Sequence, residues 1–136
     1  RDQAAMASAL MMPILMGLEL ADWAIDGLLK GPQRAPTWRA AAEATRIASA
    51  MLSKAHARVW MGVIRGVLPI ALTVARLFAP FPLEAFLKHH FSKVGDQTAA
   101  MIEVYVAYAE EHALEAENLK ALLQAVSLRR ATSRGR

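Results

Sequence analysis

The sequence predicts an all-α fold, a single domain of about five helices. Hydrophobic residues make up 55% of the chain, and alanine, leucine and methionine, which favour helices, dominate among them. Apolar residues recur at spacings of three and four, and no stretch alternates apolar and polar residues as a half-buried strand does. A chain of 136 residues has the length of one domain with one core.

The first half of the chain predicts two helices separated by a short loop. The first spans residues 2–30, begins with Asp2 as its N-cap or first-turn acid, and ends at Gly31 and Pro32. Pro13 predicts a kink or a break inside it, because proline lacks a backbone donor. The second helix follows the loop "GPQRAP", and Thr37 is expected to be its N-cap.

The second half predicts three more helical segments. One carries two glycines four residues apart in "GVIRG", a spacing that lets another helix approach closely, and it ends at the prolines of "FAPFP". The next begins at Leu83, and its spacings of three and four continue across Gly95, which predicts one long helix to about Leu114. A short last helix is expected over residues 117–128.

The net charge of +4 and the pI of about 9.9 do not predict a nucleic-acid surface. Four of the 16 basic residues lie in the last eight positions, which leaves 12 basic residues against 12 acidic ones in the body. A nucleic-acid interface needs a basic face on folded structure. We therefore predict a helical domain over residues 1–128 and a basic disordered tail over residues 129–136, with no nucleic-acid partner.

The most apolar stretch, "VWMGVIRGVLPIALTVARLF", does not predict a membrane span. Arg65 and Arg76 interrupt it and leave ten residues between them, whereas a span needs about 20. We expect a buried core helix and no membrane partner, and keep a membrane-associated helical protein as an alternative.

The first residues lack the pattern of a signal peptide, and the expected location is the cytoplasm.

The string "LKHHFSKVGDQTAAMIEVY", residues 87–105, contains the densest group of polar residues in the chain. It supplies the first candidate site residues. One interpretation is a solvated helix face, with the Thr98 hydroxyl bonded to its own helix. The other is half of a binding site, in which residues 90–98 line the mouth of a cleft. In that case Lys93 binds an anion, Asp96 positions Lys93, and Gln97 and Thr98 bind substrate. The candidates are His89, His90, Lys93, Asp96, Gln97 and Thr98.

The chain lacks the motifs of several other kinds of site. Metal binding on a helix needs ligands at i and i+4, but His89 is followed at that spacing by Lys93 and His90 by Val94. No G-x-G-x-x-G, G-x-x-x-x-G-K-[ST] or G-x-S-x-G occurs. We expect no metal site and no cofactor bound by this chain alone.

Two strings of the sequence resemble a known family. "FPLEAFLKHHFSKVGDQTAAMIEVYVAYAEEHAL", followed by "LKALLQAV", is similar to the C-terminal helical domain of the ketopantoate reductase (2-dehydropantoate 2-reductase) family, in a divergent form. The resemblance implies a helical domain like the C-terminal domain of 6-phosphogluconate dehydrogenase. It implies a substrate-binding and dimerisation domain of an NADPH-dependent oxidoreductase, whose N-terminal Rossmann domain binds the NADPH. The chain alone would then be inactive.

The first helix departs from the pattern of that family. Anchored on Pro13, the family's catalytic lysine falls on Ala4, and its two asparagines fall on Ser8 and Met12. The family's substrate-binding glutamate falls on Gln97. The resemblance therefore adds Ser8 and Met12 to the candidate substrate-binding residues, leaves the catalytic group unassigned, and implies a substrate less polar than ketopantoate.

The methionine-rich string "MASALMMPILM" in the first helix predicts an exposed apolar patch. Such patches commonly mark interaction surfaces, so we expect a homo-oligomer. The alternative to the oxidoreductase hypothesis is a stand-alone helical interaction module that binds a partner through this helix.

Overall fold

The computed structural model describes residues 2–52 and 57–135, apart from the side chains of residues 57, 58 and 61. These residues form helices joined by short loops and contain no strand, which confirms the all-α prediction. A π-helical turn over Val63–Val67 joins α4 to α5, and a 3₁₀ turn over Ser92–Val94 joins α6 to α7. The eight α-helices of the described ranges therefore form six helical segments. The helices are α1 (Asp2–Leu20), α2 (Ile25–Lys30), α3 (Arg34–Met51), α4 (Ala57–Gly62), α5 (Leu68–Phe78), α6 (Leu83–Phe91), α7 (Gly95–Glu111) and α8 (Glu117–Arg134).

The core consists of two adjoining clusters on either side of α1. The packing of α1 against α3 is the most extensive contact between described elements, and α8 packs against both. The first cluster joins α1, α3, α7 and α8 around Ile47, Ile102 and Leu119. The second joins α1, α2, α3 and the π turn around Ile14 and Ile25. Helix α1 is therefore the central helix of the domain.

The break in the first predicted helix does not lie at Pro13. Helix α1 runs through Pro13, which is buried, and ends at Leu20. The Trp23 N–H donates to the Leu18 carbonyl at 2.6 Å, and Asp22, with φ of 56°, takes the left-handed position of a Schellman motif. The break turns the Trp23 ring into the core, where it is buried. Burial of this ring, and not the missing proline donor, sets the end of α1.

Thr37 is not the N-cap of the second long helix. Helix α3 begins three residues earlier, at Arg34, and Pro36 fits in its first turn because N–H groups there have no partner within the helix. Thr37 is fully buried and packs against Gly17 of α1. The residue that looks like a cap in the sequence is a packing residue.

The predicted long helix over residues 83–114 is interrupted. The 3₁₀ turn at Ser92–Val94 separates α6 from α7, which begins at Gly95 and ends at Glu111. A Cβ atom at Gly95 would lie 2.5 Å from Nη2 of Arg130. The end of the Arg130 side chain from α8 covers the backbone here and would have to shift to admit a Cβ atom.

The tail predicted to be disordered is helical as far as Arg134. Helix α8 continues through it, and the side chains of Arg129 and Arg130 reach back to α1. Arg129 pairs with Asp22 beyond the end of α1, and Arg130 pairs with Glu19. The tail was predicted to be disordered because chain ends commonly fray. Asp22 and Glu19, which hold Arg129 and Arg130, lie more than 100 residues away in the sequence, so no local pattern shows these pairs.

The methionine-rich helix α1 does not present the predicted apolar patch. Met6 and Met16 are buried, and Met11 is the exposed large hydrophobic residue of α1 among the described residues. Helix α1 is apolar on nearly all sides and is surrounded by its neighbours. The prediction of an oligomer stays a prediction, but the surface that suggested it lies inside the domain.

Within the described ranges one helix has the length and composition of a membrane span, and a second candidate arises only if a bent pair of helices is counted as one span. The single helix is α1, with 19 residues and 44% of its most apolar window buried within the protein. The bent pair is Val63–Phe78 taken together with Leu83–Glu111, with a bend of 112°. The position of α1 between the two core clusters accounts for its apolar character.

Replacing Ala113 with glycine is expected to stabilise the protein by about 0.5–1 kcal/mol. Ala113 follows α7 with φ of 53°, in a second Schellman motif where the Leu114 N–H donates to the Ala109 carbonyl at 2.8 Å. A Cβ atom is unfavourable at this φ, and glycine removes it. Ala107→Gly, in the exposed middle of α7, is the matched control and should cost about 1 kcal/mol. Equal losses in both variants, measured by chemical denaturation, would contradict the assignment.

Candidate functional site

A cleft of about 380 Å³ opens between α1 and the α6–α7 segment. Its walls are mainly apolar, and its polar groups come from one turn of each long helix. No charged residue and no histidine is among the described residues that line it. The lining residues are Ser8, Met11, Met12, Leu15, Phe91, Val94, Gln97, Thr98 and Met101.

Four residues predicted for the site meet in this cleft. Ser8 and Met12 lie one turn apart on α1, and Gln97 and Thr98 lie in the first turn of α7 on the opposite wall. Ala4 lies a further turn towards the N-terminus of α1, is exposed, and is not among the lining residues. The fold therefore brings together residues that are about 85 positions apart in the sequence.

The two histidines predicted for the site lie outside this cleft. His90 is exposed, and its ring stacks on Phe86 with centroids 5.6 Å apart. His89 is also exposed, and its Nε2 lies 3.3 Å from Nζ of Lys93. Neither side chain is among those that line the cleft.

Lys93 and Asp96 also lie outside the cleft, and they do not pair with each other as predicted. Lys93 faces His89, and Asp96 Oδ1 lies 3.5 Å from Nη1 of Arg130. The carboxylate of Asp96 lies instead beside the Arg130 guanidinium, which reaches it from α8. The predicted anion-binding role of Lys93 has no support in the cleft geometry.

The polar groups of the cleft suit hydrogen bonding more than acid–base chemistry. The Thr98 hydroxyl donates to the Val94 carbonyl at 3.2 Å, as the solvated-face interpretation expected, and its oxygen keeps lone pairs that can accept. The Gln97 amide is exposed at the rim and can both donate and accept. The cleft can bind an apolar group and form a few hydrogen bonds to one polar group.

A partly buried ion pair closes the inner side of this region. Arg130 Nε and Nη2 donate to the two carboxylate oxygens of Glu19 at 2.7 and 2.6 Å. The side chains are 21% and 17% exposed. Hydrogen bonding to the Glu19 carboxylate raises the pKa of Arg130 above its ordinary value, and the charge of Asp96 adds to this. A small cavity lined by Leu15, Phe91 and Thr98, which also line the cleft, extends to this pair.

Sequence reasoning missed this ion pair because its partners belong to α1 and to the assumed tail. Two local features of the sequence could have indicated this ion pair. Glu19 lies in the last turn of α1, where a carboxylate is unfavourable next to the helix dipole unless it has a partner. Gly95 marks the place where the Arg130 side chain crosses α7.

A second cleft, of about 360 Å³, lies between α3, the π turn and the start of α8. Arg39, Arg46 and Arg65 line it together with Glu43. The carboxylate of Glu43 is already bonded: it accepts from the N–H groups of Asn118 and Leu119 at 3.2 and 2.8 Å. Arg46 lies 3.6 Å from Glu115. Glu43 therefore has a structural role at the start of α8. Helical spacing alone would have predicted that it pairs with Arg39 or Arg46.

The fold and the cleft define an all-α domain with a mainly apolar cleft between its first helix and the α6–α7 segment. The described residues hold no group of three or more side chains that would coordinate a metal. No family model, curated protein or solved structure matches the chain. The function is therefore inferred from the cleft and from the residues that line it.

Proposed function

We propose that the chain is the helical substrate-binding half of an NADPH-dependent oxidoreductase similar to the ketopantoate reductases. The observation that supports this is the meeting of Ser8 and Met12 with Gln97 and Thr98 across one cleft. The family resemblance assigns substrate contacts to Ser8, Met12 and Gln97, and the residue types of the polar string predict one for Thr98. They come from distant parts of the chain, so their convergence does not follow from local sequence similarity.

The chemistry of the cleft indicates the class of substrate. Methionine and leucine side chains on α1, and Phe91, Val94 and Met101 opposite, form apolar walls. A carbonyl compound with an apolar body fits them, and its polar end can bond to Gln97 and to the hydroxyls of Ser8 and Thr98. A substrate more apolar than ketopantoate agrees with methionine and serine at the positions of the family's asparagines.

In this proposal the reaction is divided between this chain and a Rossmann domain, because the chain lacks groups that the reaction needs. It has no phosphate-binding loop, so a Rossmann domain would bind NADPH, and the NADPH would supply the hydride for the substrate carbonyl. Ala4 offers no amine to donate a proton to the carbonyl oxygen, so that proton comes from the Rossmann side of the cleft or from water. This chain positions the substrate and excludes water from one side.

Variants of the cleft in the full-length protein test the proposal. The measurement is NADPH oxidation with a series of 2-oxo acids and ketones of increasing apolar size. Gln97→Ala and Thr98→Val each remove a polar group from the cleft, and each is expected to raise KM about tenfold, the effect of roughly 1.4 kcal/mol of lost binding. Gln124→Ala, exposed on α8, is the matched control and should leave KM within about twofold.

Two results would overturn the proposal. One is the absence of carbonyl-dependent NADPH oxidation with every compound of the series. The other is an unchanged KM in both cleft variants, with melting temperatures equal to that of the unaltered protein. An increase in KM without a change in melting temperature separates a substrate contact from a purely structural role.

A further inference from the structure

The cleft between α3, the π turn and the start of α8, which we name the arginine cleft, carries a net positive charge. Arg39, Arg46 and Arg65 line it together with Glu43 and Glu115. Glu43 is only 5% exposed, and both of its carboxylate oxygens accept hydrogen bonds from the start of α8. Arg46 is paired with Glu115. The charge that remains open to a ligand is therefore carried by the guanidinium groups of Arg39 and Arg65.

Arg39 and Arg65 have no partner within the described part of the chain. Both are exposed, and neither forms an ion pair or a side-chain hydrogen bond with a described residue. Arg39 lies on α3 and Arg65 in the π turn, so the two side chains reach the cleft from different elements. A guanidinium is a flat fork of N–H donors that matches the oxygens of a carboxylate or a phosphate. Two such forks at one cleft suit a ligand group with two negative charges.

The Trp38 indole ties the π turn to α3. The carbonyl of Ile64 would accept from the N–H of residue 68 in an α-helix, or of residue 69 in a π-helix. The Leu68 N–H donates to the Val63 carbonyl instead, and Pro69 has no N–H. The Trp38 Nε1–H supplies a donor to the Ile64 carbonyl at 3.1 Å. This bond holds the cleft wall in place without a ligand, and π-helical turns are frequent at functional sites.

The inner lining of the arginine cleft is apolar. Ala35, Trp38 and Ala42 follow one face of α3 at spacings of three and four, and Ile64 of the π turn adds to them. The alanine side chains are short and leave space, and the volume of the cleft is about 360 Å³. Small-molecule sites have volumes of roughly 300–1,000 Å³, so the cleft suits a small ligand. A flat apolar group fits against the indole, since aromatic groups stack on one another.

We infer that the arginine cleft binds a small organic phosphate, a phosphate monoester with a flat apolar body. A phosphate monoester has a charge of about −1.5 to −2 at pH 7 and three acceptor oxygens, so it can bond to Arg39 and Arg65 at once. A carboxylate carries a single charge, which one guanidinium satisfies. The apolar body lies against Trp38 and the alanines of α3. Arginine side chains, in place of a Gly-rich loop, bind the phosphate.

This inference does not depend on the proposed function. None of the described residues lines both the arginine cleft and the cleft between α1 and the α6–α7 segment. Variants of the arginine cleft are therefore expected to keep the KM for a carbonyl substrate. A protein that fails the oxidoreductase test can still bind an organic phosphate.

Isothermal titration calorimetry with phenyl phosphate tests the inference. The unaltered protein is expected to bind one phenyl phosphate per chain. Arg39→Gln and Arg65→Gln should each weaken this binding about tenfold or more, because each removes a charged hydrogen-bond donor. Arg34→Gln, exposed in the first turn of α3 and outside the cleft lining, is the matched control and should leave Kd within about twofold. Melting temperatures should stay unchanged, since all three arginines are exposed.

Two further probes separate the parts of the ligand. Inorganic phosphate keeps the charge but lacks the apolar body, and benzoate keeps a flat ring but carries a single charge. Each is expected to bind about tenfold more weakly than phenyl phosphate, or weaker still.

Four results would overturn the inference. The first is no saturable binding of phenyl phosphate to the unaltered protein. The second is a Kd in both Arg39→Gln and Arg65→Gln equal to that of Arg34→Gln, which would place the phosphate elsewhere. The third is benzoate binding as tightly as phenyl phosphate, which would make the ligand group a carboxylate. The fourth is inorganic phosphate binding as tightly, which would show that the apolar lining contacts no part of the ligand.

Discussion

Gly17→Ala is expected to lower the free energy of unfolding by about 3 kcal/mol or more, at the upper end of the cost of overpacking. Gly17 lies where α1 and α3 pack most closely. A Cβ atom at this position would lie 2.6 Å from Cγ2 and 2.9 Å from Cβ of Thr37, and closer still to its Oγ1. Rotation of the Thr37 side chain cannot relieve the contact with Cβ, which is fixed to the α3 backbone. The two helices must separate, and both core clusters are then disturbed.

The control for this prediction is alanine at another helical glycine. Gly27→Ala in α2 places a Cβ no closer than 3.4 Å to its neighbours, and it should change stability by less than about 1 kcal/mol. Adding Thr37→Ala to the Gly17→Ala variant should recover part of the lost free energy of unfolding. The expected coupling energy between the two positions is about 1–2 kcal/mol. Urea denaturation of these three variants and of Thr37→Ala alone measures each term. A Gly17→Ala variant as stable as Gly27→Ala would show that the helices do not pack this closely.

Glu43→Ala is expected to destabilise the protein by about 3 kcal/mol, from the loss of hydrogen bonds to a buried carboxylate. Helix α8 has Ala116 at its N-cap, which has no side-chain acceptor for the first N–H groups. Glu43, only 5% exposed on α3, accepts from those of Asn118 and Leu119, the second and third residues of α8. These are the groups that an N-cap side chain normally bonds. The carboxylate also stabilises the positive end of the α8 dipole.

Two comparisons test this role. Glu43→Gln keeps one oxygen that can accept a hydrogen bond but replaces the other with an NH₂ group, which is a donor and cannot accept from the N–H groups. An intermediate loss of stability is therefore expected. Glu115→Ala removes a carboxylate that is 85% exposed beside Arg46, and should cost less than about 0.5 kcal/mol. Hydrogen exchange should show the Asn118 and Leu119 amides losing protection first in Glu43→Ala. Unchanged protection of these two amides would exclude Glu43 as the cap of α8.

The sequence alone determined the helical class and much of the helix pattern. Spacings of three and four, the stop at Gly31 and Pro32, and the prolines of "FAPFP" depend on local chemistry, so they can be read without a structure. The polar string before Met101 was also a local signal, because histidine, serine, glycine, aspartate and threonine are poor choices for a helix surface. The structure places two of its members, Gln97 and Thr98, in the cleft.

The tertiary structure decided which groups meet. Glu43 and Leu119 are 76 residues apart, and Arg130 and Glu19 are 111 apart, so no local pattern links them. The fold likewise decided that Met6 and Met16 of α1 are buried while the apolar stripe of α5 faces solvent. A stripe shows that a helix packs against something, but not whether the partner is the same domain or another molecule. That depends on which neighbours surround it, and only the packing of all the helices determines those neighbours.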